Sequence, residues 1–497
     1  MSSRTTVLWS GAPPPEKSVK EFKARGLDHV HVVDAATAEK FWNSSRAAVF
    51  VNPTDADFAL LAGGALQEAL AHGLAVKIVV PRDQLLQRMA ELKHVPALGL
   101  SGWVMQTHAN PVKIAEEFAR HEPGPAHNIL VNLHGQTEGL STEQRVLLER
   151  AFHDCSEVHL QKMPDGTAQV FLAFAKLTTS EVGEYPLPLF VKIDKRKRAE
   201  TERAHYHDCT TSFVPFYARP NLHLKRCLMG AEFGLIVGDF VERSEGLLEL
   251  AHRGDAQSAI DSLFQDALRG WRAQPFDKKN ETVKAVALCP KGFLSRLSTR
   301  RKGLLAQHSE AAKALGALLD VFEVERRLDA LPDIMYRKGF THGDLHCGNV
   351  RARAGEAILI DFQSVGAGPL STDPATLEVS LALEFQSATE ADWHATMAQL
   401  YSIDNLRAVP RPRQPTAPLN PLWEAVRQIR RYGLADQIAD DEYARAVAIQ
   451  LLRKASHECN GGEDPSRRPL LIKLAAAIVL ALETPSANEG KFLAEAR

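Results

Sequence analysis

The order in which segment types follow one another constrains this chain more than any single residue. Near the N-terminus, short apolar runs rich in β-branched residues alternate with helical stretches. TTVLWS (5–10), HVHVVD (29–34), AAVFVNP (47–53), LAVKIVVP (74–81) and GWVMQ (102–106) read as strands. Between two of them, DADFALLAGGALQEALAHG has helical spacing and is rich in alanine. Five such units predict a doubly wound α/β domain around a parallel five-stranded sheet. Strands then bunch together, in EVHLQKM, AQVFLAFAKL, LPLFVKID and EFGLIVGDFVE. From about 247 the pattern is helical, interrupted around 340–362. Strands first and helices later is the order of an α+β fold, so the fold class expected is α/β plus α+β.

Proline and glycine punctuate this order. HEPGPAHN (121–128) is the first linker candidate, and AVPRPRQPTAPLNP (408–421) reads as an exposed loop. After the linker, Ser141 and Gln144 form a capping box that opens the helix LSTEQRVLLERAF. The expected divisions are 1–125, 126–245 and 246–497. A chain of 497 residues is long enough for two to four domains.

Composition excludes several classes. A formal net charge of −2 gives no global field toward nucleic acid or an anionic membrane. Six cysteines are scattered without a CxxC pair, which argues against a disulfide framework or structural zinc and suits a reducing cytosol. The stretch LLIKLAAAIVLALE (470–483) contains Lys473, is shorter than a membrane span and reads as a buried helix. The N-terminus has no signal-peptide core. The histidines show no H-E-x-x-H spacing, and neither a G-x-S-x-G elbow nor a P-loop is present.

The N-terminal order resembles the receiver domains of two-component signalling, or another flavodoxin-like module. A receiver uses an acidic pair after its first strand, an Asp after its third and a Lys after its fifth. Here the first strand ends in Trp9, Ser10 and Gly11, the third in Asn52 and Pro53 with Asp55 nearby, and the fifth is followed by Thr107 and His108. The resemblance therefore implies a module that has lost phosphoryl acceptance and binds a protein partner.

The chemistry is concentrated in FTHGDLHCGNV (340–350) and ILIDFQS (358–364). Phosphoryl transfer needs donor phosphates neutralised by Mg²⁺, an acceptor hydroxyl aimed, and a group to take its proton. A kinase catalytic loop supplies the base as an Asp and one metal ligand as an Asn five positions later. The second metal ligand is the Asp of D-F-G. Asp344, Asn349 and Asp361 follow that spacing. Asp344 is the expected base, and Asn349 and Asp361 suit a hard cation that keeps several waters. His342 is expected to brace the loop. Cys347, inside it, reads as inert packing.

HGDLHCGN followed by ILIDF resembles the signature of the aminoglycoside phosphotransferase and choline kinase branch of the protein-kinase-like superfamily. The stretch GPLSTDPATLEVSLAL adds Asp373, which in that branch opens a helix beneath the active loop. The resemblance covers roughly 130–480. It implies a bilobal kinase-like fold, with a small antiparallel-sheet lobe and a large helical lobe, and ATP with Mg²⁺ as cofactors. The acceptor it implies is a hydroxyl-bearing substrate, more often a small molecule.

A kinase-like small lobe also needs a strand lysine on the α/β-phosphates and a helix glutamate to hold it. Lys192 in LFVKID is that lysine. Glu202 is the expected partner and Glu200 the alternative, because only one can face inward. KRKR (195–198) reads as a solvated helix start, and His205 and His207 as surface residues. The phosphate-covering turn PDGTA offers Gly166 and Thr167 in place of a G-x-G-x-x-G loop. Gly238, Asp239 and Phe240 fall where backbone groups would read the adenine edge. No acidic patch suited to an aminoglycoside is evident. The expected activity is transfer of the γ-phosphate of ATP to a hydroxyl, and the N-terminal domain suggests a regulated role in bacterial sensing or defence. Two rivals remain: a nucleotide-sensing pseudokinase scaffold, and an enzyme that moves a phosphate or nucleotidyl group onto protein.

Overall fold

The computed structural model describes residues 4–92, 103–108, 110–163, 168–178, 185, 187–273, 282–283, 297–386, 389–458 and 464–483. Gly166 and Thr167 lie outside the described residues. The chain forms two compact units. One comprises Met1–Ala204 with Asn221–Phe240, the other His205–Pro220 with Val241–Arg497.

The first unit holds two sheets. Strands β1 (Thr6–Gly11), β2 (Asp28–Val32), β3 (Ser45–Val51), β4 (Ala75–Val79) and β5 (Trp103–Gln106) form a five-stranded sheet in the order β2-β1-β3-β4-β5. Every pairing in it is parallel. This is the flavodoxin-like strand order, and it matches the expected doubly wound domain. β1, β3 and β4 lack a polar alternation because both their faces are covered, with Lys77 of β4 paired to Glu117, whereas the edge strand β2 alternates and is only partly buried. Leu8, Ala48, Phe50, Val76 and Ile78 pack on one face with Trp42 and Phe58. Val7, Trp9, Ala47 and Val49 pack on the other with Phe22 and Phe118. At the ends of β1 and β3, Gly11 has φ +102° and Asn52 has φ +47°. A Cβ on Gly11 would lie 2.3 Å from the Val51 carbonyl oxygen, so the close approach of these strands requires glycine. Asp55 is paired with Arg88 at 2.5 Å.

The second sheet runs β10 (Leu228–Met229), β11 (Phe233–Asp239), β9 (Leu189–Lys195), β8 (Gln169–Leu177), β7 (Cys155–Lys162) and β6 (Asn132–Gly135). β6 pairs with β7 in parallel and the other neighbours are antiparallel. One face carries Val158, Leu160, Phe171, Ala173, Val191, Ile193, Leu235 and Val237 against Leu147 and Phe152. The helix Thr142–Ala151 opens with the predicted capping box of Ser141 and Gln144.

The segment 121–128, read as a linker, is bolted down by two buried arginines. Arg4 donates to the carbonyls of Pro123, Gly124 and Pro125, and to those of Ser45 and His72. Arg150 donates to Pro123, Pro125 and Ala71. Carbonyl dipoles on a proline-rich stretch have no amide partners of their own, and two guanidinium groups satisfy them together.

The second unit is mostly helical. The helices Thr372–Glu384, Asn420–Asp436, Glu442–Ala455 and Arg467–Glu483 carry long buried faces. Glu378 and Arg430, both fully buried, form an ion pair joined by the Tyr443 hydroxyl, which donates to Glu378 at 2.7 Å. Among the described residues no helix is long and apolar enough to cross a membrane. LLIKLAAAIVLALE falls within Arg467–Glu483, and most of that helix is buried, as expected. Between the helices lie short strands. β12 (Glu245–Gly246), β16 (Val350–Arg353) and β17 (Glu356–Leu359) form one sheet. β13 (Thr282–Val283) pairs with β14 (Ile334–Met335), and β15 (Lys338–Thr341) with β18 (Gly366–Pro369).

Candidate active site

The tight hairpin of β16 and β17 sets the geometry in the second unit. Val350 pairs with Leu359, so the residues just outside that pair, Asn349 and Ile360, come together. The Ile360 amide donates to the Asn349 carbonyl at 3.1 Å. The Asn349 side chain donates through Nδ2 to the Asp344 carbonyl at 2.9 Å, which leaves Oδ1 as the atom able to ligate a cation. Asp361 follows Ile360 directly, with φ +63°. A non-glycine residue held in the left-handed region costs on the order of 1–3 kcal/mol and persists where its surroundings over-determine it. Asn349 thus bonds both the Asp344 carbonyl and the amide of Ile360, the residue before Asp361.

His342 and Asp373 are both bonded into this loop. Asp373, buried in the first turn of Thr372–Glu384, accepts from the amides of His342 at 2.7 Å and Gly343 at 3.0 Å. Burial pushes its carboxyl above the ordinary range against the pull of those amides and His342. The His342 ring is fully buried and bonds the Ile360 carbonyl through Nε2 at 3.0 Å. A carbonyl accepts, so Nε2 carries the proton. Gly343 has φ +75°, and a Cβ there would lie 2.3 Å from the Ser364 carbonyl oxygen. Phe362 is buried against Tyr206, Trp271 and His342. His205, expected at the surface, is half-buried, and its ring bonds the Gln363 carbonyl at 3.0 Å. His207 is exposed as expected. Cys347 is buried, with its thiol pushed up by burial and Glu384.

Sequence reasoning missed the charge around Asp344. Arg453, near the end of the helix Glu442–Ala455, places Nη2 3.5 Å from Asp344 Oδ1. Its neighbour Lys454 lies 3.6 Å from Glu384. Burial and then Lys454 lower the His346 pKa. Nothing in the spacing of residues a hundred positions apart could have signalled these approaches.

In the first unit, Lys192 Nζ meets Glu202 Oε2 at 2.9 Å, with both side chains largely buried. Glu200 is exposed, so the inward-facing partner is Glu202. At the end of β11, Gly238 admits no larger residue, because a Cβ would lie 2.5 Å from the Phe190 ring. The Asp239 amide donates to Asn221 and the Phe240 amide to Pro188. Reading a base edge with these two amides would require displacing both bonds. The Asp239 carboxylate is 2.7 Å from His223 Nε2.

Residues 281–413 match the family model described as the phosphotransferase enzyme family. The match covers about a quarter of the chain, and over that segment the chain is similar to the phosphotransferase enzyme family. The segment contains Asp344, Asn349, Asp361 and Asp373, and excludes Lys192, Glu202 and Arg453. No curated protein matches the chain. Among solved structures, a putative fructosamine-3-kinase from Haemophilus somnus 129PT is 12% identical. The match covers 65% of this chain and 91% of that one, with a TM-score of 0.35. An aminoglycoside phosphotransferase solved with ADP and hygromycin B is 11% identical, over 67% of this chain and 98% of that one, with a TM-score of 0.34. A choline kinase from Cryptosporidium parvum Iowa II is 9% identical, over 66% of this chain and 89% of that one, with a TM-score of 0.33. With TM-scores this low, these likenesses decide nothing about the acceptor.

Among the described residues no group of three or more His, Cys, Asp or Glu is arranged to hold a metal. A magnesium site completed by nucleotide phosphates does not need one, since that cation uses one or two protein oxygens and keeps its waters.

Proposed function

We propose that this chain transfers the γ-phosphate of ATP to a hydroxyl on a small molecule, with Mg²⁺ held by Asn349 and Asp361. The observation that carries the reading is the Asn349 bridge, which ties the Asp344 carbonyl to the Ile360 amide beside Asp361 within the family segment. Asp344 accepts a hydrogen bond from the acceptor hydroxyl, orients it and takes its proton. Its side chain is 47% exposed, which leaves room for that hydroxyl. Asp373 and His342 hold the loop so that the carboxylate stays aimed. Lys192, steadied by Glu202, contacts the donor phosphates. Gly238, Asp239 and Phe240 mark the adenine side. When bound, Mg²⁺ would neutralise charge on the phosphates.

The divisions 1–125, 126–245 and 246–497 serve this reading as a partner-binding module, a nucleotide lobe and an acceptor lobe. The four free cysteines among the described residues fit a cytosolic setting.

Purified full-length chain with Mg²⁺ and γ-labelled ATP, compared with Asp344→Ala and Asp361→Ala, tests the proposal. Turnover in the wild type and its loss in both variants is expected. Nucleotide binding without turnover in all three would replace the enzyme with a sensing scaffold. Label retained on the protein, from the α- or γ-position, would replace the small-molecule acceptor.

A further inference from the structure

The helix Asn420–Asp436 ends on a buried carboxylate. Asp436 meets Arg272 through both of its oxygens, at 2.6 and 2.7 Å, and the two side chains are only 5% and 17% exposed. Arg337, directly before β15, places Nη1 4.0 Å from the same carboxylate. Asp373 and Glu442 also face it. Burial raises the Asp436 pKa to about 6, against the pull of Arg272 and Arg337. A carboxylate at a helix C-terminus also meets the negative end of the macrodipole. Two costs therefore fall on one residue.

Gln428, Tyr432 and Asp436 stand four positions apart and share one side of their helix. Gln428 and Tyr432 both donate to Asp261, and the Tyr432 ring stacks on Phe264 with centroids 4.7 Å apart. The Arg272 guanidinium lies 5.2 Å from the centre of the same Phe264 ring. Asp436 completes this face by gripping Arg272, the last residue of the helix Arg269–Arg272. The residue before it, Trp271, is fully buried, and its indole N–H donates to the Cys209 carbonyl at 2.6 Å. The Trp271 ring packs edge-on against His342 and Phe362, with centroids 6.5 and 6.4 Å apart. His342 precedes Asp344 by two positions, and Phe362 directly follows Asp361. A buried ion pair adds little net stability, since apolar residues of similar volume often replace it without loss. What a two-pronged guanidinium–carboxylate contact fixes is direction.

We propose that Arg272 and Asp436 are positioning residues for the catalytic loop: their pair seats Trp271 against His342 and Phe362 and so holds Asp344 and Asp361 in place. The inference rests on the proposed phosphotransferase reading and deepens it. The pair exists only while Asp436 is ionised, so turnover that depends on it falls as pH drops through about 6. Stability moves the other way. The folded chain holds this proton more tightly than the unfolded chain, whose carboxyl titrates near 3.8, so acidification through that window adds stability. With a structural role alone, turnover would follow stability instead.

The test uses the full chain and follows release of the γ-phosphate from MgATP, beside hydrogen exchange at the His342 and Gly343 amides and the thermal midpoint. The variants are Asp436→Asn, Arg272→Lys, and Arg272→Met combined with Asp436→Leu. The apolar double variant should keep a midpoint near that of the wild type. Its kcat should nevertheless fall by a factor between about 10 and 100, the loss that a misplacement of up to about 1 Å brings. KM for MgATP should stay unchanged, and exchange at both amides should quicken. Arg272→Lys keeps the charge without the two-pronged contact and should fall between wild type and the double variant. Wild-type kcat should drop between pH 7 and 5 while its midpoint rises relative to that of Asp436→Asn, and the drop should be absent in Asp436→Asn. Wild-type kcat and exchange in the double variant, or a rise in KM with kcat unchanged, would overturn the inference and leave the phosphotransferase intact. If the double variant does not fold, an undiminished drop in kcat between pH 7 and 5 in Asp436→Asn would overturn it. A wild type that never turns over MgATP would remove the phosphotransferase reading, and exchange at the two amides would then decide the positioning by itself.

Discussion

Asp373 should govern the active loop without touching any reactant. Its carboxylate takes the amides of His342 and Gly343 at 2.7 and 3.0 Å, and the residue is 4% exposed. Asp373→Ala leaves two buried N–H groups without an acceptor, at about 1–3 kcal/mol each, so the folded loop loses about 2–6 kcal/mol. Asp373→Asn keeps one acceptor oxygen and turns an NH₂ toward the second amide, so its cost should fall between wild type and alanine. A loop loosened this way displaces Asp344, and a misplacement of about 1 Å costs on the order of 100-fold in rate. Hydrogen exchange at the His342 and Gly343 amides, read beside MgATP turnover, reports both effects. Exchange should quicken at both amides in Asp373→Asn while the helices Asn420–Asp436 and Glu442–Ala455 keep their protection. Unchanged exchange and unchanged turnover in Asp373→Asn would refute the assignment of Asp373 as the clamp of this loop.

Other outcomes are equally open to measurement. Asp361→Gly should raise the thermal midpoint, because glycine relieves about 1 kcal/mol of left-handed strain, while the magnesium dependence of nucleotide binding weakens. A midpoint that falls would contradict the strain. Lys192→Met should leave Glu202 buried without its cation at a cost of about 3–5 kcal/mol, and Lys192→Met with Glu202→Leu should recover most of that stability but no turnover. Denaturant titration beside an activity assay separates the two effects. His72 has its pKa lowered to about 3 by burial, with His127, Arg150 and Arg4 adding to it. The folded ring stays neutral while the unfolded chain takes up a proton below about 6.5. Its stability is therefore complete above that pH and lost as pH falls toward 3, by about 2 kcal/mol at pH 5. His72→Gln should flatten the loss of thermal midpoint between pH 7 and 5, and an unchanged slope would count against the buried neutral ring.

The central N-terminal runs were legible because a strand buried on both faces is almost wholly apolar, and β4 is buried at all five positions, its one charge, Lys77, paired to Glu117. Lys192 stood out because a lysine between apolar strand neighbours needs a carboxylate. The choice between Glu200 and Glu202 was decided by the structure, which exposes Glu200 and pairs Glu202 with the lysine. Asp344, Asn349, Asp361 and Asp373 were singled out because phosphoryl transfer asks for such side chains, and the hairpin β16–β17 accounts for the separation of Asn349 and Asp361. β6 was not legible, since a short edge strand such as NLHG has no periodicity to show. Nor was the clamping of residues 121–128, because a proline-rich stretch looks like a linker whether or not distant arginines reach it.

Sequence alone determined the strand and helix order and the local constellation around the catalytic loop, because both are written in spacings shorter than one hairpin or a few helical turns. Tertiary structure alone decided what surrounds Asp344. Arg453 lies 109 positions away in the chain, yet its guanidinium sits 3.5 Å from that carboxylate. Charge acts through space, and only the packing of the late helices says which charges share that space.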